Sequence, residues 1–511
     1  MGRMLVAAIV SLWIVPVSLT VNRIVPDPYM DEIFHIPQAQ RYCRGDFKTW
    51  DPMITTPPGL YYLSLAYAAS LFPGMWFAKG IQSLPELCST AFLRSTNAVM
   101  AVVCSVLVYD LLISLSPSLG EKKATFYAVL ISLYPLHWFF TFLYYTDVAS
   151  LTAVLAMYLA SLKKRFLISA MFGAIATLFR QTNVVWVAFV AASAAISYVE
   201  DLCGKDHVNL TYKKLKIERK DVIFNKNSGA VVPTLRKRRM GASTNSSQLT
   251  NSKVIRFLPL NDSGLINEIA ELALKLWRLK WKVLVTFFPY LLVLLVFGAL
   301  VVLNGGIVLG AKEAHLVSPH FPQFMYFGLA AAAALAPAHF TLGQASTLWQ
   351  SVRRNKIGNF VNLLASLVLC MIFVHFFSIA HPYLLADNRH YTFYIWRKLI
   401  QAHRSMKYLL VPVYVYSWFS VTTALGKTQK KVWVLLFCLA NALVLIPTPL
   451  IEFRYYTIPF YFLILNSKIE ENIKWMVIGI LYASVDIITM LIFLYRPFQW
   501  DHQPGIQRFI W

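Results

Sequence analysis

The chain has 511 residues, of which 58% are hydrophobic, 15% aromatic and only 14% charged, with a mean hydropathy of +0.55. Soluble globular chains carry about 25% charged and about 45–50% apolar residues, so this composition excludes a string of water-soluble domains and makes lipid the solvent for most of the chain. The net charge of +23 does not point to nucleic acid, because no basic stretch is interleaved with aromatics or attached to a reader fold.

A bilayer core needs about 20 apolar residues as helix. Runs of roughly that kind predict about thirteen spans, near 4–25, 91–115, 124–142, 143–162, 166–179, 183–199, 283–303, 322–346, 357–380, 408–425, 432–447, 454–466 and 475–495. The expected fold class is an all-α polytopic membrane protein. The first run resembles a signal peptide, with Arg3 ahead of an apolar stretch to Val17. It continues to Val25 without a small-residue cleavage site, which favours an uncleaved anchor.

With the N-terminus placed in the cytosol, the basic loops 116–123, 163–165, 200–282, 350–356, 426–431 and 467–474 all fall on the cytosolic side, as the positive-inside bias demands. The opposite side receives 26–90, 143–147, 180–183, 304–321, 381–407, 447–456 and the tail from Arg496. The expected organisation is therefore a transmembrane module over 1–199 with a large first lumenal loop (26–90), a loop over 200–282, and a second transmembrane module over 283–511. The 200–282 loop holds 17 Lys/Arg against 8 Asp/Glu and too few apolar residues for a core, so partial disorder is expected. Its glycosylation sequons at Asn209, Asn245 and Asn261 are expected to be unmodified. Six cysteines form no short paired spacing and suggest neither a zinc site nor a disulfide framework. Cys43 and Cys88 could pair if their segments face an oxidising lumen.

The segments opposite the cytosol hold a compact set of unusual residues: Asp31-Glu32 with His35, Trp50-Asp51, Asp147, Arg180, His381 with Asp387 and Arg389-His390-Tyr391, Glu452 with Arg454, Arg496, and a tail ending Arg508-Phe-Ile-Trp511. Charges at the edge of hydrocarbon are costly and usually pair or line a polar cavity. If 29–36 is helical, Asp31 and His35 share a face and Glu32 points elsewhere, although Pro37 argues against a straight helix there. An acid in that setting is a general base if it reaches an acceptor hydroxyl; alternatively it is a helix-start carboxylate favoured by the dipole.

The stretch Tyr29-Met-Asp-Glu-Ile-Phe-His-Ile-Pro-Gln-Ala-Gln-Arg-Tyr42, followed by Trp50-Asp-Pro-Met-Ile-Thr-Thr-Pro-Pro-Gly-Leu-Tyr61, resembles the GT-C polyprenyl-sugar glycosyltransferases. Within them it is similar to the endoplasmic-reticulum alpha-1,2-glucosyltransferases that use dolichyl-phosphate glucose. Phe179-Arg-Gln-Thr-Asn183, Ala386-Asp-Asn-Arg-His-Tyr-Thr-Phe-Tyr-Ile-Trp-Arg397 and Glu452-Phe-Arg-Tyr-Tyr456 match the same family. The resemblance implies a GT-C type bundle and addition of the last glucose to the lipid-linked oligosaccharide of N-glycosylation. It also implies an endoplasmic-reticulum membrane location with a lumenal site. The donor then carries beta-linked glucose, the product is alpha-linked, and configuration inverts in one displacement.

One carboxylate suffices for the acceptor proton, with Asp31 the first candidate and Glu32 the second. A departing phosphate needs positive charge and paired donors. The candidates for the donor phosphate and sugar are Arg389, His390, Arg454, Arg397 and Tyr391; those for the acceptor are His35, Gln38, Trp50 and Asp51. Arg397 also suits headgroup contact, Arg454 an ion pair with Glu452 or Asp387, and Trp50, Tyr391 and Tyr455 an interfacial belt. No metal and no cofactor beyond the donor is expected. The expected partners are dolichyl-linked lipids and the membrane, with no protein partner indicated. The rival readings are a polytopic acyltransferase and a transporter or channel-associated protein without transferase activity.

Overall fold

The computed structural model describes residues 1–79, 82–224, 264–315, 317–354, 356–501 and 503–511. Long apolar runs without strand-like alternation become helices, because only a helix satisfies its own backbone polar groups in hydrocarbon. In chain order these are α1 (Gly2–Ile24), α2 (Glu32–Cys43), α3 (Gly59–Lys79), α4 (Leu84–Leu87), α5 (Thr90–Leu115), α6 (Glu121–Ser132), α7 (Pro135–Phe140), α8 (Thr146–Leu162), α9 (Phe166–Phe179), α10 (Asn183–Phe224), α11 (Leu265–Arg278) and α12 (Lys280–Asn304). There follow α13 (Pro322–Ala334), α14 (Ala336–His339), α15 (Leu342–Arg354), α16 (Lys356–Phe376), α17 (Pro382–Ala386), α18 (Tyr391–Ile395), α19 (Met406–Leu409), α20 (Val411–Gly426), α21 (Lys431–Leu445), α22 (Thr457–Asn466) and α23 (Asn472–Tyr495). A short antiparallel hairpin, β1 (Phe498–Trp500) with β2 (Gln503–Gln507), comes after α23.

Seven of the described helical segments are long and apolar enough to cross a membrane, and α8, α9 and α21 are shorter apolar helices. Several expected spans are broken where proline dictates. The run at 124–142 divides into α6 and α7 at Pro135, which opens α7, because the residue before proline is pushed out of the helical region. The run at 322–346 divides into α13, α14 and the start of α15, with Pro337 in the first turn of α14. Conversely, the 26–90 segment read as a loop contains the 21-residue helix α3, and α10 runs past 199 to Phe224. Helix thus enters the 200–282 segment from both ends. Residues 225–263 lie outside the described residues, with Asn245, Asn261 and the basic run 236–239, as does the side chain of Asn209.

The chain divides into two compact units, Met1–Ala194 with Leu284–Trp511, and Ala195–Val283. In the first, α8 packs on α9 and α5, α1 on α5 and α6, α13 on α20, and α23 on α6 and α7. Helix α22 is buried along nearly its whole length, whereas α12 buries only Phe287 and Tyr290 and leaves Leu295, Leu300 and Val302 exposed. That is the burial pattern of a helix whose outer face meets lipid. Close approach is enabled at Gly328, where a Cβ would stand 2.4 Å from Trp418 Nε1. The second unit holds the remainder of α10 and the amphipathic α11, none of whose residues is buried.

Cys43 and Cys88 are joined by a disulfide with a Cα–Cα distance of 6.6 Å, tying the end of α2 to the end of α4. Closing a loop of 45 residues is worth roughly 4 kcal/mol by the chain-entropy relation, and typical losses are about 2–4 kcal/mol. The Cys88→Ser protein should therefore lose about 2–4 kcal/mol in denaturant unfolding. A loss below about 0.5 kcal/mol would show that this link is not what holds α2 in place.

Candidate active site

The structure separates the acidic pair. Met30 has φ +57, a left-handed conformation that costs a non-glycine residue about 1–3 kcal/mol. Immediately after this turn, Asp31 occupies the N-cap of α2 and Glu32 its first position. Glu32 points inward and is fully buried. Its Oε1 accepts from Arg94 Nε at 2.8 Å and Tyr144 N at 2.6 Å, and its Oε2 from Arg94 Nη2 at 2.6 Å and Tyr29 N at 3.0 Å. Arg94, on α5, spends its remaining donors on Asn22 Oδ1, Val25 O and Asp27 O. Every lone pair and every N–H of this buried ion pair is thereby used, which is the condition under which such a pair is tolerated.

Asp31 points the other way, into a cavity of about 180 Å³ lined also by Tyr145, His390, Glu452, Arg454 and Trp511. Its side chain keeps 41% of its exposure, and its Oδ2 accepts from Arg454 Nη1 at 2.9 Å. The backbone N–H of Asp31 donates to Tyr145 Oη at 3.2 Å, and Asn97 on α5 fixes that segment by donating to Leu143 O and Tyr145 O. Helix α2 continues through Pro37, contrary to the expectation. Ile33, whose carbonyl would have been the acceptor for residue 37, is itself exposed, so the freed oxygen is not stranded in the core.

Arg454 is the hub of the cavity. It pairs with Glu452 at 2.8 Å as well as with Asp31, and lies 3.9 Å from Asp147 Oδ2. Its guanidinium stands 5.2 Å over the Tyr145 ring and 5.5 Å over Phe140. Asp147 is buried and paired with Arg180, and Arg180 in turn covers the Tyr455 ring at 5.2 Å. Burial pushes the Asp31 carboxyl up, but the charge of Arg454, that of His35 and the hydrogen bond from Arg454 together hold it below its ordinary value. Burial likewise opposes, and Arg389 and His390 outweigh it, at Asp387, whose carboxyl is also held low.

A neighbouring pocket of about 190 Å³ is lined almost wholly by apolar side chains, among them Leu329, Ile395, Leu399 and Phe453. It shares Thr392 and Ile451 with the polar cavity, so a charged chamber and an apolar one meet across two residues.

The remaining sequence candidates are distributed unevenly. His390 lines the cavity. Arg389 is engaged with Asp387 through Nε at 2.8 Å and Nη2 at 2.7 Å, with Gln507 through Nη1, and with the Trp500 ring at 4.6 Å; it braces the 387–391 segment. Arg397 is exposed in a five-residue π-helical turn, 5.9 Å over Phe393. Tyr391 packs against Trp511 with ring centroids 4.9 Å apart and planes tilted by 52°. The proposed acceptor residues do not line the cavity. His35 Nδ1 bonds Tyr61 Oη at 2.6 Å, and burial lowers its imidazole below the ordinary value against the pull of Asp31. Gln38 donates to Thr49 O and accepts from Asp51 N, Asp51 closes a turn onto Met53 N, and Trp50 packs 6.0 Å from Tyr61. These four hold α2, the 49–53 turn and α3 together. Among the described residues, no three His, Cys, Asp or Glu side chains meet as a metal site requires.

Arg94 was not singled out from the sequence, and Tyr145 and Trp511, although in segments of the unusual set, were given no role there. Arg94 did carry a signal, being the one charge at the head of an apolar run, where a partner is the rule.

The DIE2/ALG10 family matches residues 25–465. A protein of Arabidopsis thaliana named Dol-P-Glc:Glc(2)Man(9)GlcNAc(2)-PP-Dol alpha-1,2-glucosyltransferase is 53% identical over the full length of both chains. Proteins of the same name from Homo sapiens and Yarrowia lipolytica are 33% and 29% identical, each over 96% of this chain and 94% of theirs. No solved structure matches the chain. With its predominantly helical polytopic architecture and a family match spanning most of its length, the chain belongs to the DIE2/ALG10 family.

Proposed function

We propose that this chain moves glucose from dolichyl-phosphate glucose onto the diglucosylated, dolichyl-diphosphate-linked oligosaccharide, forming an alpha-1,2 bond in the endoplasmic-reticulum membrane. The observation that carries the reading is Asp31, an ionised carboxylate opening into a cavity that also holds Arg454 and His390. The apolar pocket beyond Thr392 and Ile451 suits the first isoprene units of a donor whose phosphate and sugar enter the polar chamber. The Cys43–Cys88 disulfide supports an oxidising, lumenal side for this face.

In the step itself, the 2-hydroxyl oxygen of the acceptor's terminal glucose attacks C1 of the donor glucose. Asp31 takes the hydroxyl proton. The C1–O bond to phosphate breaks, and dolichyl phosphate leaves with the electron pair, so C1 inverts. Arg454 supplies positive charge and donors to the phosphate as charge develops on it, with His390 beside it on the cavity wall. When phosphate competes for Arg454, Asp31 loses its strongest attractive neighbour and becomes a better base, which links donor arrival to proton removal.

The same geometry fixes a pH response. In the free protein kcat/KM needs Asp31 ionised, so it persists above the Asp31 pKa and is lost as pH falls through it, below the ordinary 3.8. In Arg454→Gln, burial is left to act with less opposition, and the acid limb of the residual activity should move to higher pH. An unmoved limb would remove Asp31 from the titration. For the reaction as a whole, cells lacking this protein should accumulate the lipid-linked oligosaccharide one glucose short. A normal oligosaccharide profile in such cells would reject the proposed reaction.

A further inference from the structure

The segment after α23 is built into the cavity wall. Arg508 Nη1 donates to Phe493 O and Leu494 O, both at 2.8 Å, capping α23. The hydroxyl of Tyr29, two residues before Asp31, exchanges two 2.7 Å bonds with the main chain of Arg508. Ile510 then forms a strand-like bridge with His390, its N–H donating to Arg389 O at 2.9 Å. Finally, His390 Nδ1 lies 3.1 Å from the main-chain oxygen of Trp511; that oxygen has no hydrogen to give, so Nδ1 carries the proton. These bonds join the Asp31 turn, the end of α23 and the 387–391 segment through one short stretch.

Trp511 ends on the cavity, its ring wedged 4.9 Å from Tyr391 and 6.2 Å from Phe453. Its indole N–H is buried without a hydrogen-bond partner. A buried donor left unpaired is a standing cost, and an aromatic wall with one spare N–H matches a sugar ring, whose C–H face is apolar and whose rim is hydroxyls. We propose that Trp511 is a specificity-determining residue that contacts a hexose in the cavity, its indole N–H donating to a sugar hydroxyl. This rests on the glucosyltransferase reading of the same site. The hydroxyl belongs either to the donor glucose or to the terminal glucose of the acceptor, and kinetics distinguish the two.

The test is steady-state transfer by purified Trp511→Phe and Trp511→Ala, varying dolichyl-phosphate glucose and the diglucosylated acceptor separately, with thermal melting alongside. Losing an aromatic contact of this kind is worth roughly two- to tenfold. The expected result is a KM increase of that size for one of the two substrates, larger for Ala than for Phe, with unchanged melting. The substrate whose KM rises carries the contacted sugar. Unchanged KM for both substrates, or a fall in kcat alone, would make Trp511 structural wall and overturn the proposal. A wild-type protein that transfers no glucose would instead overturn the reading on which the proposal rests.

Discussion

Purified Asp31→Asn should fold and bind donor but turn over about 10²–10⁴-fold more slowly, the usual worth of general-base assistance, or roughly 3–5 kcal/mol of barrier. Asparagine keeps the shape and one acceptor oxygen for Arg454 but cannot take a proton at neutral pH. Asp31 is the N-cap residue but makes no side-chain cap bond, so its replacement spares the helix start. The comparison to make is kcat with both substrates saturating, against melting of the same preparation. Near-normal kcat would remove Asp31 from proton transfer.

Glu32→Gln should fail in a different way. Its carboxylate is the sole described acidic partner of Arg94, and breaking a buried pair by neutralising one partner costs about 3–5 kcal/mol. The loss should appear as lower yield and lower melting temperature, with turnover per folded molecule largely retained. Adding Arg94→Met to Glu32→Gln should restore part of the stability, because the uncompensated buried charge is then gone. If Glu32→Gln instead melts normally and is inactive, the proton acceptor is Glu32 and the division of labour drawn from the structure is reversed.

Much of this site was legible in the residues. Polar and charged side chains at the ends of apolar runs had to pair or line a cavity, and Asp31, His390, Glu452 and Arg454 do line one. The helical spacing also separated Asp31 from Glu32. What each acid does required three dimensions: a left-handed Met30 is not announced by its residue type, and it turns Asp31 toward the cavity while Glu32 goes to Arg94. Arg389 looked like a phosphate ligand because arginines suit phosphates; the hairpin that brings Gln507 and Trp500 to it comes from more than a hundred residues away. His35, Gln38 and Asp51 belong to the right segment but spend their polar groups on its internal contacts, and Trp50 packs its ring on Tyr61. The tail ending in Trp511 counted among the unusual segments opposite the cytosol, but the residues alone assigned Trp511 no role, since nothing local reveals that Ile510 bridges to His390. Among the helices, Pro135 and Pro337 marked breaks that hydropathy alone smoothed over.

The most direct test of the account is transfer by the purified chain from dolichyl-phosphate beta-glucose to the diglucosylated lipid-linked oligosaccharide, with the anomeric configuration of the new bond read by NMR. The account predicts one added glucose, alpha-1,2-linked, made by the wild-type protein and suppressed at least a hundredfold (about two decades) in Asp31→Asn. A beta-linked product, or equal rates for the two proteins, would contradict a single inverting displacement with Asp31 as its base.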